Sequence, residues 1–394
     1  MDVNLLRAIR LSRKRIIPAV DRQAGLSPQK EKLMRYLRVL TPLAQVPISI
    51  DHKYRWYLDG TIDANSKTGA AFKELATAGI DADTIWYKEL ACVNIFKRVN
   101  RIALRLPRLF ILLLIRFRTI KNLDLVALQV LVGYIGYRSF FKKYQNLKAI
   151  IISDISPYLH MQWIAALAEG NKVMWWQDDY HHYNGFSDDN YLPYQCHYAA
   201  VLNEFGLKTV KENNIYAQTA RRSYTVVKTL REIGDESKVG IATNVLFQAS
   251  PAQIETMQKV KEFLNVSDLY LRLHPNSQLH NSRDLPKWLK VASKSETLTE
   301  FAKKVDVAIV GNTSAQLKLL CLGVPVVHLN IFDHFGYDLY QYCRLGFSFG
   351  VREIDSLSME SVKLFYTKYF EQISLEEFVN VQSEIAELQN INTK

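Results

Sequence analysis

Two polar loops in the second half of the sequence carry side chains suited to binding a phosphate group. The segments RLHPNS, residues 272–277, and GNTSAQ, residues 311–316, each lie at the end of an apolar run that predicts a strand. The second loop places Thr313 and Ser314 at the start of a predicted helix, where free backbone N–H groups and the helix dipole attract an anion. The candidate binding residues are Arg272, His274, Pro275, Asn276, Asn312, Thr313, Ser314 and Gln316.

Both loops also have ordinary structural explanations. A Ser or Thr at a helix start is most often an N-cap, and a single His at a strand end is most often packed or hydrogen-bonded within the protein. The two loops, however, come from strands one helix apart in the chain. Because the carboxyl ends of parallel strands meet at one edge of a sheet, the loops should converge, and this favours the binding interpretation.

An acidic pair in the first half could supply a catalytic carboxylate. Asp178 and Asp179 follow the apolar run KVMWW, and either could deprotonate a hydroxyl or act as a nucleophile. The alternative is that these acids cap the next turn. Asp154, after KAIIIS, is a weaker candidate that could equally be an N-cap. The adjacent His181 and His182 point apart and lack a second ligand cluster, so we predict no required metal.

Strand and helix patterns alternate in two separate series. Runs of Val, Ile and Leu such as KAIIIS and VAIVG are typical of a parallel sheet covered by helices on both faces. Helix boundaries are also visible: Ser250 can cap a helix that has Pro251 in its first position. The sequence therefore predicts an α/β protein with two Rossmann-like domains facing a cleft.

The boundary between the two series is expected between residues 214 and 238, where YTVVKTLREIGDESK has no helical period. We assign residues 1–225 to an N-terminal Rossmann-like domain with basic amphipathic helices. Residues 226–394 form a second Rossmann-like domain, and the segment from Met359 onward predicts closing C-terminal helices.

The order of "RLHPNS", "LTEFAKKVDVAIVGNTS" and "AQLKLLCLGVPVVHL" resembles the nucleotide-binding half of bacterial GT-B glycosyltransferases of surface polysaccharide synthesis. That group includes CMP-sugar-using sialyl- and Kdo-transferases, enzymes of capsule and lipopolysaccharide synthesis, with HP and Ser/Thr motifs. The resemblance covers about residues 238–330. It implies that His274 and Ser314 contact the nucleotide and phosphate of the donor. It also implies that the acidic pair carries the catalytic carboxylate, although Gly185 here follows Asp179 by six residues rather than directly.

The function that the resemblance implies is transfer of a sugar from a nucleotide-activated donor to a surface-polysaccharide or lipid-linked acceptor, without a metal or other cofactor. A CMP-sugar is favoured and a UDP-sugar is possible. The same motif order also resembles teichoic-acid glycerophosphotransferases and UDP-N-acetylglucosamine 2-epimerases, although the "GTRPE"-like opening of the epimerases is missing. A non-catalytic scaffold that senses nucleotide sugars is a further alternative.

The net charge of +11 indicates an anionic partner. Basic residues alternate with long apolar ones between residues 97 and 148, which is typical of a helix at an anionic membrane surface and, equally, of a core helix with solvated arginines. No nucleic-acid-binding signature is present, so nucleic acid is not an expected partner. Scattered cysteines, the lack of a signal-peptide pattern and the shortness of the apolar run at 109–115 predict a cytoplasmic protein, peripheral on the inner face of the cell membrane.

Overall fold

The computed structural model describes the chain in several ranges, and the statements below concern these residues. They are 46–61 except 48, 67–88, 125–152, 157–177, 196–222 except 214–216, 227–274 except 245–246, 277, 279, 285–329, and 338–379 except 339. In these ranges the chain forms two separate six-stranded sheets, and every strand pair in them is parallel. The predicted α/β class with two Rossmann-like units is confirmed.

The first sheet has the strand order β2-β1-β3-β4-β5-β6. Its strands are β1 (Trp56–Thr61), β2 (Ile85–Lys88), β3 (Lys148–Ile152), β4 (Val173–Trp176), β5 (Tyr198–Val201) and β6 (Gln218–Arg221). The helices of this half are α1 (Lys67–Thr77), α2 (Leu125–Lys143), α3 (Pro157–Ala168) and α4 (Glu204–Asn213). Strands β4 and β5 are buried along their whole length, as expected for central strands covered on both faces.

Strand β6 was not predicted, and it lies inside the stretch that the sequence suggested for the domain boundary. It is a four-residue edge strand, QTAR, with one buried residue, so it lacks the apolar run that identifies a central strand. The first sheet therefore extends to Arg221, and the second begins at Val239. A division at residue 225 stays a prediction.

The second sheet has the order β12-β11-β10-β7-β8-β9. Its strands are β7 (Val239–Ala242), β8 (Leu269–Arg272), β9 (Leu289–Val291), β10 (Val307–Val310), β11 (Val326–Leu329) and β12 (Phe349–Val351). The first strand of this half lies in the middle, with the second and third on one side and the last three on the other, which is the Rossmann order. The two outermost strands, three residues each, were not predicted.

The helices of the second half are α5 (Pro251–Phe263), α6 (Leu298–Ala302), α7 (Ala315–Cys321), α8 (Met359–Lys368) and α9 (Gln372–Phe378). Helix α5 begins as its sequence predicts: the Ser250 hydroxyl accepts the Gln253 N–H, and the Gln253 side chain completes a capping box. Helix α6 packs so closely on β7 that a Cβ at Gly240 would lie 2.6 Å from the Phe301 ring. Position 240 therefore requires glycine.

Helix α2 covers most of the described part of the basic region between residues 97 and 148. Its apolar residues, including Val130, Tyr137 and Phe141, are buried in the core against α3. This part of the region is therefore a helix packed in the core. The arginine-flanked run at 109–115 is outside the described residues. No helix among those described has both the length and the apolarity needed to cross a bilayer.

The C-terminal helices close the molecule, as predicted. Leu375 and Phe378 of α9 pack in one cluster with Leu202, which directly follows β5 of the first sheet. Beyond α9, Val379 forms an antiparallel bridge with Asn203. The end of the described chain thus returns from the second half to the carboxyl edge of the first sheet.

Candidate functional site

The candidate site lies at the carboxyl edge of the second sheet, where the strand order reverses. Strand β7 pairs with β8 on one side and with β10 on the other, and Ala242 is in register with both Arg272 and Val310. Neighbouring strands lie about 4.8 Å apart. The loops after β8 and β10 therefore lie on either side of the end of β7, roughly 10 Å from each other. A crevice at such a reversal point is where open α/β sheets bind their ligands.

Thr243, the residue after β7, ties this edge together and was missed in the sequence. Its backbone N–H donates to the Arg272 carbonyl at 3.0 Å, and its hydroxyl accepts the His274 N–H at 3.3 Å. The signal that could have identified it is its position directly after KVGIA, the first strand of the second series. Thr243 holds the loop that carries His274 against the reversal point.

Arg272 presents a positive charge at this edge. It is half-buried, and its Nε donates to the Glu296 backbone carbonyl at 3.3 Å. Among the described residues its two Nη groups have no hydrogen-bond partner, and no carboxylate forms an ion pair with it. Burial lowers the pKa of Arg272, and the negative charge of Glu296 raises it in part. A half-buried guanidinium whose two Nη groups have no partner among the described residues suits bidentate recognition of a phosphate or carboxylate.

Gln316 lies in the predicted binding loop, but its side chain is fully buried. Its Nε2 donates to the Gly311 carbonyl at 2.8 Å and lies 3.0 Å from Nδ1 of the equally buried His328 on β11. These contacts hold the turn between β10 and α7. Gln316 thus shapes the loop from beneath, while Thr313 and Ser314 remain partly exposed.

The start of α7 is a weaker anion site than the sequence suggests. The helix has seven residues, and two of its first N–H groups already have acceptors: Ala315 donates to the Thr313 hydroxyl at 3.3 Å and Gln316 to the Thr313 carbonyl at 3.2 Å. Ser314 occupies the N-cap position, but its hydroxyl makes no capping bond. The Thr313 hydroxyl, not that of Ser314, accepts a backbone N–H at the helix start, which is the structural explanation given above for this loop.

After β4, the described residues stop at Gln177, immediately before the acidic pair, and resume at residue 196. Gln177 is buried, its Oε1 accepts the Leu202 N–H at 2.8 Å, and its Nε2 donates to Asn203 Oδ1 at 3.3 Å. A Cβ on Gly206 would lie 2.1 Å from Gln177 Oε1, so a larger residue at this position of α4 would displace the Gln177 side chain.

Arg222 fixes the same strand end from the other side. It donates to the Gln177 carbonyl, forms a bidentate pair with Glu74 of α1 (Nη2 to Oε2 at 2.6 Å, Nε to Oε1 at 3.2 Å), and stacks on Trp176 with its Cζ 4.3 Å from the ring centroid. Sequence reasoning missed this network, because its members lie far apart in the chain. The point at which the chain leaves β4 toward the acidic pair is thereby held on two sides.

Several predicted site residues lie outside the described residues. They are Asp154, Asp178, Asp179, Pro275 and Asn276. Asn312 is described and buried beside the reversal point. The roles assigned to all of these residues, like the binding roles of His274 and Ser314, stay predictions.

A hollow of about 500 Å³ lies at the opposite edge of the second sheet. Its lining includes Lys238 and Asp268, which directly precede β7 and β8. Because parallel strands all start at this edge, the hollow is separated from the candidate site by the length of the strands. Its lining includes Tyr270 and Lys304 but none of the predicted binding residues, so the hollow is not the candidate site.

No family model and no curated protein match this sequence. Solved structures resemble it in fold at low identity. An S. aureus MnaA–UDP co-structure shares 10% identity over 86% of this chain and 95% of that chain, with a TM-score of 0.50. A Methanocaldococcus jannaschii UDP-GlcNAc 2-epimerase complex shares 10% identity over 86% and 99%, with a TM-score of 0.49. The glycosyltransferase SnogD from Streptomyces nogalater shares 12% identity over 86% and 100%, with a TM-score of 0.43.

The likeness to the MnaA structure extends over 86% of this chain. Two parallel six-stranded sheets flanked by helices, with a C-terminal segment that returns to the first sheet, give this chain a two-domain fold of the GT-B type.

Proposed function

We propose that this protein is a metal-independent glycosyltransferase that binds a nucleotide-activated sugar at the carboxyl edge of its second sheet. The observation that carries the proposal is the convergence of three loops at the reversal point, together with the Nη groups of Arg272, which have no partner among the described residues. The donor-binding residues are Arg272 and His274 from one loop and Asn312, Thr313 and Ser314 from another. Pro275 and Asn276 complete the first loop, and Gln316 supports the second.

The likeness in fold to a UDP-bound protein supports a nucleotide ligand. The MnaA structure that resembles this chain contains UDP. From the HP and Ser/Thr motifs we favour a CMP-sugar such as Kdo or sialic acid, with a UDP-sugar as the second choice. The guanidinium of Arg272 suits either donor, because it recognises a phosphate group or a sugar carboxylate rather than the base.

We assign the catalytic carboxylate to Asp178 or Asp179, with Asp154 as the next candidate. The carboxylate accepts the proton of the acceptor hydroxyl while the acceptor oxygen attacks the anomeric carbon. The bond from that carbon to the phosphate oxygen breaks, and the electron pair leaves with the nucleotide. Arg272 then balances the charge that develops on the departing phosphate.

Crystals soaked with UDP and with CMP test the donor site directly. We expect the nucleotide phosphate beside Arg272 and the loop at 311–314. Density for the nucleotide at another place, or binding of neither nucleotide at millimolar concentration, would overturn the proposal.

A product assay separates the enzyme classes. A glycosyltransferase releases the nucleotide and attaches the sugar to an acceptor, whereas an epimerase leaves the changed sugar attached to the nucleotide. A glycerophosphotransferase consumes a nucleotide-activated glycerol, and a sensing scaffold binds without turnover.

The acceptor that we propose is a surface polysaccharide or a lipid-linked glycan at the inner face of the cell membrane. The basic residues Arg116, Arg118 and Lys121 are the proposed contacts with anionic lipid. Reversal of these three charges should release the protein from anionic vesicles. Equal binding of the unchanged protein to neutral and anionic vesicles would contradict this placement.

A further inference from the structure

A buried carboxylate lies beside Arg272 but is bound to other groups. Glu296 precedes α6, and its side chain is 4% exposed. Its Oε2 accepts the Tyr270 hydroxyl at 2.9 Å and forms an ion pair with Lys304, whose Nζ also donates to the Tyr270 hydroxyl at 2.7 Å. These three residues form a closed triad, which we call the Glu296 triad.

The triad and Arg272 share one face of the sheet. Tyr270 and Arg272 are two residues apart on β8, so their side chains leave the strand on the same side. Arg272 is anchored to the backbone carbonyl of Glu296, not to its carboxylate. The other carboxylate oxygen of Glu296, Oε1, is buried without a hydrogen-bond partner among the described residues.

A buried carboxylate with a free oxygen is a strong competitor for a nearby guanidinium, because a charge removed from water is stabilised by pairing. Lys304 and Tyr270 occupy Oε2 and balance the negative charge. The Lys304 side chain is 49% exposed, so a surface lysine neutralises the buried Glu296 carboxylate.

We infer that Lys304 and Tyr270 keep the Glu296 carboxylate from pairing with Arg272, and so leave the two Nη groups of Arg272 available to the anionic group of the ligand. Lys304, Tyr270 and Glu296 are then positioning residues that act through Arg272. That the anionic group belongs to a nucleotide rests on the proposed function. That Lys304 and Tyr270 keep Glu296 from pairing with Arg272 does not.

The first experiment measures Arg272 itself, without a ligand. Phenylglyoxal modifies free arginines, and the rate of modification of Arg272 can be followed by peptide mass spectrometry. In Lys304→Gln, Glu296 pairs with Arg272 and the rate should fall about fivefold, which corresponds to one moderately exposed ion pair. The double variant Glu296→Gln/Lys304→Gln removes the competing carboxylate and should restore the rate.

The control is Lys303→Gln, which makes the same charge change at the neighbouring exposed position and should leave the rate unchanged. An unchanged rate in Lys304→Gln, or a slow rate that persists in the double variant, would overturn the inference. Tyr270→Phe removes a single hydrogen bond from Glu296 and should give an intermediate rate.

The second experiment measures UDP and CMP affinity in the same variants by calorimetry. Arg272→Gln should weaken binding about 10- to 100-fold, the loss of a charge-assisted hydrogen bond. Lys304→Gln should weaken it about fivefold, with recovery in the double variant. If the modification rates behave as expected while Arg272→Gln binds nucleotide normally, the proposed donor site is wrong and the triad inference stands. If Arg272→Gln weakens binding but Lys304→Gln changes neither quantity, the triad inference is wrong and the donor site stands.

Discussion

Each sheet of this protein places an arginine at its carboxyl edge, and the two arginines have opposite surroundings. Arg222 in the first half is 8% exposed and is bound on every side, by Glu74, by the Gln177 carbonyl and by the ring of Trp176. Arg272 in the second half makes one hydrogen bond, through Nε, and its Nη groups have no partner among the described residues.

The difference shows why residue type and sheet edge do not by themselves identify a binding group. A buried cation whose three nitrogens all donate within the protein stabilises the fold, whereas a half-buried cation whose Nη groups have no partner among the described residues can still bind an anion. The contacts of Arg222 hold the end of β4 in place, whereas the Nη groups of Arg272 have no partner among the described residues.

The largest effect is expected on turnover, when the catalytic carboxylate proposed at the carboxyl edge of the first sheet is replaced. Asp178→Asn or Asp179→Asn, at whichever position is catalytic, should lower turnover by about 10²- to 10⁴-fold, because a general base acts only in the transition state. Donor affinity should change little. The measurement is steady-state kinetics with the physiological acceptor, alongside calorimetry with the donor.

The outcome that contradicts this assignment is near-unchanged turnover in both variants. Asp154→Asn is then the next variant to examine, since it follows the neighbouring strand β3 in the same sheet.

The second prediction compares the two arginines directly through stability. Arg222→Met should lower the free energy of unfolding by about 3 kcal/mol, because it leaves Glu74 and the Gln177 carbonyl without their partner in a buried setting. Arg272→Met should lower it by less than about 1 kcal/mol, because one hydrogen bond is lost and a desolvated charge is removed. Urea titrations of both variants provide the measurement. Equal losses would remove the distinction between the two edges.

The third prediction tests whether the open edge binds the donor. His274→Ala and Ser314→Ala should each weaken nucleotide-sugar binding by about 1–3 kcal/mol, through loss of a hydrogen bond to the charged donor. Calorimetry gives the affinities, and circular dichroism checks that the fold is intact. If neither substitution changes the affinity of a folded protein, the donor does not bind at these loops.

The smallest effect concerns two serines at helix starts in the second half. The Ser250 hydroxyl caps α5, whereas the Ser314 hydroxyl makes no capping bond. Ser250→Ala should lower the free energy of unfolding by about 1 kcal/mol with unchanged nucleotide affinity. Ser314→Ala should show the reverse, with weaker binding and a free energy of unfolding within about 0.5 kcal/mol of the original. A loss of stability in Ser314→Ala equal to that in Ser250→Ala would mean that Ser314 is a structural cap after all.

Local sequence patterns were sufficient for the α/β class, for most of the strands and for the start of α5. Apolar runs such as those of β3, β4 and β10 identify central strands, because only a strand buried on both faces is apolar without interruption. Ser250, Pro251 and Gln253 act on one another within a single turn, so their effect is visible without tertiary contacts. The short edge strands β6, β9 and β12 lack such a signal, since one face or one side of each meets solvent.

The tertiary structure alone decided what surrounds each candidate side chain. The sequence placed Arg272, His274 and residues 311–316 at strand ends, but the strand order determined that they flank β7, with Thr243 between them. Tertiary packing determined that the Gln316 side chain turns into the core and that α2 is buried. It also determined that Glu296 pairs with Lys304 instead of Arg272. The physical reason is that propensity and capping act within a few residues of the chain, whereas burial and charge pairing depend on residues that only the folded chain brings together.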